Sequence, residues 1–142
     1  MMYWDTSAIV PLLLPESPRD ALLTLLERDP VMLVWWGTPV ECTSAVARRE
    51  REGALDVIEA GAALERLRDL VAAWREMLPG ESIRTTAQRL LRVHPLRAAD
   101  ALQLAAALVL SRDRPRWPLV TCDRQLASVA ELEGFDVIMP GS

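Results

Sequence analysis

The chain has 142 residues, 51% of them apolar, and a net charge of −4. This length suits one domain, expected to span residues 1–142, and no apolar stretch reaches the ~20 residues of a membrane span. Two cysteines and one histidine argue against a disulfide-stabilised secreted domain and against a Cys/His zinc site, while a single disulfide is left open. With no signal peptide evident, we expect a cytoplasmic protein that makes no membrane contact.

Proline and glycine divide the first half of the chain into short apolar strands and helices. Strands are predicted at residues 2–4 and 32–36. Helices are predicted at residues 7–14, 18–28, 39–51 and 54–77, the last of them long and amphipathic. Both tryptophans at the end of the second strand, Trp35 and Trp36, are expected in the core.

The second half continues the alternation. Residues 82–86 are ambiguous and open to a third short strand, and a helix follows at 86–93, which His94-Pro95 ends. Further elements are predicted as a helix at 98–110, a strand at 119–122, a helix at 124–133 and a strand at 137–139. Strands alternating with helices predict βαβ units: an α/β fold with a mostly parallel sheet of four to five strands and helices on both faces.

Four acidic residues stand apart from the mixed-charge helix faces. They follow the first strand, begin the helix after the second strand, interrupt an apolar helix and follow the strand LVTC, and they are Asp5, Glu41, Asp100 and Asp123. Ligands of open α/β sheets gather beyond the carboxyl ends of the strands. If these carboxylates meet in one crevice they repel one another, and a divalent cation relieves the repulsion. Oxygen ligands suit Mg²⁺ or Mn²⁺.

Each of these acids also has an ordinary structural explanation. Asp5 and Asp123 can cap the helices that follow them. Glu41 and Asp100 can favour the positive end of a helix. However, an acid within AADALQLAAAL is costly if it is buried without a partner, which favours a site. The negative net charge by itself argues against a nucleic-acid binder, but a metal held by these acids would supply local positive charge for phosphate.

Four stretches in this order carry a family resemblance: YWDTSAIVPLLLPE, ECTSAVARR, HPLRAADALQLAAAL and LVTCDRQLASVAELEGFDVI. Together they resemble the PIN-domain ribonucleases, most closely the VapC-type toxins of toxin–antitoxin pairs. The resemblance covers essentially the whole chain. It implies an α/β/α sandwich and an Mg²⁺- or Mn²⁺-dependent endoribonuclease that hydrolyses RNA phosphodiester bonds. It also implies a homodimer and a VapB-like antitoxin partner.

The resemblance matches the four acids to the family's acidic quartet. We expect Asp5 and Asp100 to ligate the metal directly and Asp123 to ligate a second ion or orient bound water. Glu41 would do the same or accept a proton. The residues that could hydrogen-bond these acids are Thr6, Ser7 and Thr121, with helix capping as the alternative for all three.

Other polar and apolar features are assigned more simply. Arg97 could clamp a phosphate or be a solvated residue at a helix start. His94 is expected to be a loop residue, and Cys42 and Cys122 small buried apolar residues. A groove between residues 9–14, 21–26 and the helix from residue 54 could receive the antitoxin's tail, although packing within the core explains the same leucines.

Two alternative functions stay open. One is a stand-alone PIN nuclease in RNA processing, which a single chain cannot distinguish from a toxin. The other is a PIN-like module that binds without cutting. A module of that kind would have lost some of the acids, and this chain has all four. A phosphoacceptor receiver domain is rejected, because it would need paired acids after the first strand and a lysine, and the chain has no lysine.

Overall fold

The computed structural model describes residues 1–140, which contain five strands and seven helices. The strands are β1 (Met2–Trp4), β2 (Met32–Trp35), β3 (Arg75–Met77), β4 (Pro118–Val120) and β5 (Asp136–Ile138). The helices are α1 (Thr6–Leu13), α2 (Arg19–Arg28), α3 (Thr38–Arg51), α4 (Val57–Ala73), α5 (Glu81–Val93), α6 (Ala98–Leu110) and α7 (Arg124–Leu132). None of the helices in residues 1–140 is long and apolar enough to cross a membrane.

All five strands pair in parallel in one sheet with the order β3-β2-β1-β4-β5. At the centre, Tyr3 of β1 lies level with Leu33 of β2 on one side and Leu119 of β4 on the other. The chain leaves β1 toward β2 and later returns on the opposite side, so the strand order reverses between β1 and β4. Open α/β sheets form a crevice beyond the carboxyl ends of strands at such a point.

Strand side chains alternate between two buried cores. Met2 and Trp4 pack with residues of α1 to α4, whereas Tyr3 packs with residues of α5 to α7. Successive side chains of a strand point to opposite faces of the sheet, so three residues of β1 suffice to supply both cores. The predicted α/β fold is therefore confirmed as a sandwich with helices on both faces, and every strand pair is parallel.

The predicted helix at 54–77 is wrong at both ends. It begins at Val57, after a capping box in which the Glu59 N–H donates to Asp56 Oδ1 at 2.8 Å and the Asp56 N–H donates to Glu59 Oε1 at 3.0 Å. It ends at Ala73, and Arg75–Met77 forms the edge strand β3. This strand was missed because an edge strand pairs on one side only and needs no apolar run. The strand considered at 82–86 is also wrong, since those residues lie in α5.

Two other expectations concern packing. Trp35 is buried, but Trp36 is 52% exposed because β2 ends before it and its ring meets Trp35 only edge-on. Among the side chains of the proposed groove, Leu13, Leu22 and Leu67 belong to one buried core. These leucines therefore serve the chain's own core. A groove for an antitoxin at this place stays a prediction.

Candidate active site

Asp5 lies at the end of β1 where the crevice opens. It is 3% exposed, and its backbone N–H donates to the Val120 carbonyl at 3.1 Å, which ties it to the end of β4. Its Oδ1 accepts from the Ser7 backbone N–H, so Asp5 does cap α1. Capping engages one carboxylate oxygen and leaves Oδ2 for other groups.

Two hydroxyl groups hold the second oxygen of Asp5. Oδ2 accepts from Ser7 Oγ at 3.1 Å and from Thr121 Oγ1. The two hydroxyl oxygens lie 3.1 Å apart, and Ser7 Oγ also accepts from the Cys122 N–H at 2.9 Å. The donors to this buried carboxylate are therefore all neutral, and no ion pair within residues 1–140 includes it.

Asp123 follows β4 and begins α7. Its backbone N–H donates to Thr121 Oγ1 at 3.0 Å. Its Oδ1 accepts from the N–H groups of Gln125 and Leu126 at 2.9 and 3.2 Å, so Asp123 also caps a helix. No described residue donates to Oδ2, which is thus available beside the crevice.

Glu41 enters the crevice from the first turn of α3. Its Oε1 accepts from Thr6 Oγ1 at 3.1 Å, and its Oε2 accepts from the side-chain amide of Gln103 at 3.3 Å. Thr6 belongs to α1 and Gln103 to α6, so this carboxylate is held by side chains from two other helices.

Gln103 is a residue of the site that the sequence analysis missed. It is 2% exposed and bonds Thr6, Thr38 and Glu41 through its amide nitrogen and Tyr3 through its amide oxygen. The signal was present: Gln103 is the only amide in AADALQLAAALVL and lies three residues after Asp100, on the same side of α6.

Asp100 and Arg97 mark the beginning of α6. Asp100 lies in the first turn and is half-buried, and Arg97 is the exposed residue that precedes the helix. Arg97 makes no ion pair within the described part of the chain, but its charge offsets part of the rise that burial causes in the pKa of Asp100. Both line the crevice, so the structure brings the predicted phosphate-binding arginine beside an acid of the quartet.

The crevice has a volume of about 750 Å³ and is open to solvent. Its lining includes all four predicted acids and three of the residues expected near them: Asp5, Glu41, Asp100, Asp123, Thr6, Ser7 and Arg97. Thr121 lies behind Asp5 and reaches the crevice only through it. Arg48 and Arg49 of α3 also line the crevice, and Arg49 pairs with Glu16 at 2.7 Å.

Burial and mutual repulsion raise the pKa values of the crevice acids. Burial raises the pKa of Asp5 to about 6, although the hydrogen bonds from Thr121 and Ser7 act to lower it. The negative charge of Asp123 adds to the rise. Burial likewise raises the pKa of Glu41 to about 6, with contributions from Asp5 and Asp100. The pKa of Asp100 is raised by burial and by Asp123. These carboxylates therefore lie close enough to feel one another's charge, and of the three only Asp100 has a cation, Arg97, that acts to lower its pKa.

The chemistry of the donors fits a hard divalent cation. Among the described residues, the crevice offers carboxylate and hydroxyl oxygens and no sulfur or imidazole ligand, and a buried carboxylate without an ion-pair partner lies at the end of β1. Within residues 1–140, no three His, Cys, Asp or Glu side chains already form a metal-binding cluster. Mg²⁺ usually keeps several waters and takes one or two protein carboxylates, so such a cluster is not required.

Comparison with known proteins identifies the fold. A family model described as PIN domain matches residues 2–132. The chain belongs to the PIN domain family. This confirms the resemblance seen in the four sequence stretches. PIN domains are generally nucleases. No curated protein matches this PIN domain in sequence.

Two solved structures share the PIN architecture of this chain. A toxin–antitoxin complex from Klebsiella pneumoniae has a chain 17% identical to it, with 99% of this chain and 98% of that chain covered and a TM-score of 0.67. FitAcB from Neisseria gonorrhoeae is 18% identical, with the same coverage and a TM-score of 0.69. At these identities the likeness is one of fold.

Three residues considered in the sequence lie apart from the PIN crevice. His94 ends α5, where its Nε2 lies 2.6 Å from Glu133 Oε2. Cys42 is a buried residue of α3, and burial raises the pKa of its thiol to about 12. Cys122 is partly buried, and both cysteines are free thiols, which settles the disulfide left open above.

Proposed function

We propose that this PIN domain is a metal-dependent endoribonuclease that hydrolyses RNA phosphodiester bonds with Mg²⁺ or Mn²⁺ held by Asp5, Asp100 and Asp123. One observation carries the proposal: Asp5 is 3% exposed, contacts only neutral donors and lines a crevice together with Glu41, Asp100 and Asp123. Burying an uncompensated charge is costly, and a bound cation offsets this cost.

The chain's own residues would hold and orient the reacting groups. Ser7 and Thr121 fix the Asp5 oxygens by hydrogen bonds, as groups behind metal ligands commonly do. The free Oδ2 of Asp123 can bind an ion or a water. A divalent ion, when bound, activates water as a nucleophile and stabilises charge on the phosphate. Glu41, with a pKa of about 6, is mostly ionised at neutral pH and can accept a proton there.

Arg97 would hold the phosphate at the mouth of the crevice. It is exposed and lines the crevice beside Asp100, and its guanidinium pairs with no carboxylate in residues 1–140. Arg49, by contrast, already pairs with Glu16. A planar guanidinium suits bidentate phosphate contacts. Arg97 therefore fits the role of a phosphate clamp better than Arg49 does.

We further propose that the chain is a VapC-type toxin that forms a homodimer and binds a VapB-like antitoxin in the cytoplasm. The support is the architecture shared with chains of a toxin–antitoxin complex and of FitAcB over nearly their full length. Co-expression with the product of the neighbouring gene, followed by purification through a tag on that product, tests the pairing. A complex whose formation inhibits RNA cleavage is expected. An active nuclease without such a partner would instead be a stand-alone processing enzyme.

The experiment that tests the nuclease is cleavage of mixed cellular RNA by the purified, partner-free protein. It compares Mg²⁺, Mn²⁺ and EDTA, with wild type beside Asp5→Asn and Asp100→Asn. Asp113→Asn is the matched control, because Asp113 is exposed and does not line the crevice. We expect metal-dependent cutting by wild type and the control only. If the folded wild type cuts RNA under none of these conditions, the remaining explanation is that the chain is a binding module without catalytic activity.

A further inference from the structure

We propose that Gln103 is a positioning residue that fixes the Glu41 carboxylate in the crevice, and that its amide is in turn oriented by Tyr3. The inference rests on the proposed nuclease function for its kinetic consequence. Its structural part, the placement of Glu41, stands on the hydrogen bonds of this chain alone.

The buried polar residues of the described chain lie around Gln103 and Asp5. The structure buries four polar or charged residues within residues 1–140: Asp5, Thr38, Gln103 and Thr121. They form two hydrogen-bonded pairs beneath the crevice: Gln103 donates to Thr38, and Thr121 donates to Asp5. Buried polar groups are usually hydrogen-bonded, and the other residues of both cores are hydrophobic. The buried polar residues of the described chain are therefore gathered at this site.

The amide nitrogen of Gln103 holds one oxygen of Glu41 directly and the other through Thr6. Nε2 donates to Glu41 Oε2 at 3.3 Å, to Thr6 Oγ1 at 2.9 Å and to Thr38 Oγ1 at 3.1 Å, so two hydrogens serve three acceptors. Because Thr6 Oγ1 accepts from Gln103, its single proton is directed to Glu41 Oε1 at 3.1 Å. One oxygen of Glu41 is thus held directly by Gln103 and the other through Thr6.

Tyr3 determines which end of the amide faces Glu41. The Tyr3 hydroxyl donates to Gln103 Oε1 at 2.6 Å. A tyrosine hydroxyl keeps its proton at neutral pH, so Tyr3 stays the donor in this hydrogen bond. Reversing the amide would point a carbonyl oxygen at the Glu41 carboxylate. The amide orientation is therefore fixed from both ends.

This network links the elements that carry the acids. Tyr3 on β1 and Thr6 on α1 lie on either side of Asp5 in the sequence. Glu41 lies in the first turn of α3, and Gln103 lies one turn after Asp100 on α6. Asp5 and Asp123 are already joined through the strand ends. Gln103 supplies the corresponding link between Glu41 on α3 and the helix that carries Asp100.

The test replaces Gln103 with Met, which has a similar volume but no amide. Gln88→Met is the matched control, because Gln88 is exposed on α5 and does not line the crevice. We expect Gln103→Met to lower kcat about 10- to 100-fold with little change in KM for RNA, since the substrate-binding groups are untouched. Tyr3→Phe should lower kcat in the same direction by less. Gln88→Met should match wild type.

A crystal structure of Gln103→Met gives a readout that needs no activity. The proposal expects Glu41 to leave Thr6 Oγ1 while α6 and Asp100 stay in place. If Glu41 keeps its position, or if active wild type and Gln103→Met share the same kcat, the proposal is overturned. A wild type that cuts no RNA would instead refute the nuclease function, and the placement of Glu41 in the variant would still decide the positioning role.

Discussion

Thr121 donates a hydrogen bond from its Oγ1 to Oδ2 of Asp5, joining the carboxyl ends of β4 and β1. The same oxygen accepts from the backbone N–H of Asp123 at 3.0 Å. One buried hydroxyl therefore connects two of the crevice acids. Because β1 and β4 are neighbours in the sheet, their pairing places both acids before any ligand arrives. The site is consequently sensitive to a change that removes one oxygen atom.

Thr121→Val should destabilise the protein by about 1–3 kcal/mol, because it removes a donor from buried Asp5 and an acceptor from the Asp123 N–H while keeping the side-chain shape. Urea unfolding measures the change. Thr43→Val is the control: Thr43 is exposed, its hydroxyl bonds the Pro39 carbonyl within α3, and a loss within about 0.5 kcal/mol is expected. Equal effects of the two substitutions would contradict the role given to Thr121.

The metal-free protein should lose stability as pH rises from about 4 to 6. Burial raises the pKa of Asp5 to about 6 from a usual value of 3.8, so in this range the folded protein keeps a proton that the unfolded chain releases. The free energy of unfolding then falls with pH and stays lower above pH 6. The shift corresponds to at most about 3 kcal/mol. Urea unfolding in EDTA at several pH values measures it.

Asp5→Asn isolates this contribution from those of other acids. Glu133 has the opposite sign, because its hydrogen bonds from Arg89 and then His94 outweigh burial and lower its pKa, so its stabilisation is lost as pH falls. Glu133 is unchanged in the variant, and its contribution cancels in the difference from wild type. We expect the difference in unfolding free energy to vary with pH between about 4 and 6. A constant difference would show that Asp5 has an ordinary pKa.

Local sequence signals were enough to predict much of the site. Asp5 and Asp123 each follow a short apolar strand, and Glu41 and Asp100 lie in the first turns of helices. Because the strands are parallel and the connections short, these four acids are expected to lie close together. That these four acids line one crevice could therefore be expected from chain order. Their roles in binding metal stay predictions.

The parts that were missed depend on contacts between distant residues. Gln103 looks like a chance polar residue in an apolar helix until Tyr3, 100 positions away, is seen to bond it. The edge strand Arg75–Met77 has no apolar pattern and is defined by its pairing with β2. Trp36 looks like a continuation of β2, and only the end of the pairing explains its exposure. Neither propensity nor periodicity carries this information.

Gly37→Ala should destabilise the protein although the backbone there suits any residue. A Cβ atom at Gly37 would lie 2.6 Å from Nε1 of Trp35, and Trp35 is buried in the core with little room to move. A loss of about 1–3 kcal/mol is expected from this overpacking. Gly61→Ala is the control, since a Cβ there meets nothing within 4 Å and helix α4 should gain roughly 0.5–1 kcal/mol. Urea unfolding of both variants decides whether Trp35 limits the space at Gly37.

Mn²⁺ should raise the unfolding temperature of the wild type, because an ion that binds only the folded state stabilises it by about 2.7 kcal/mol at a concentration 100-fold above its Kd. The shift should be larger at pH 7.5 than at pH 5, where protons compete for Asp5, whose pKa is about 6. Differential scanning calorimetry with and without EDTA measures it. Asp5→Asn combined with Asp100→Asn should abolish the shift, and exposed Asp113→Asn should retain it. A shift of equal size in the double variant would place the ion outside the crevice and remove the basis for metal-dependent cleavage there.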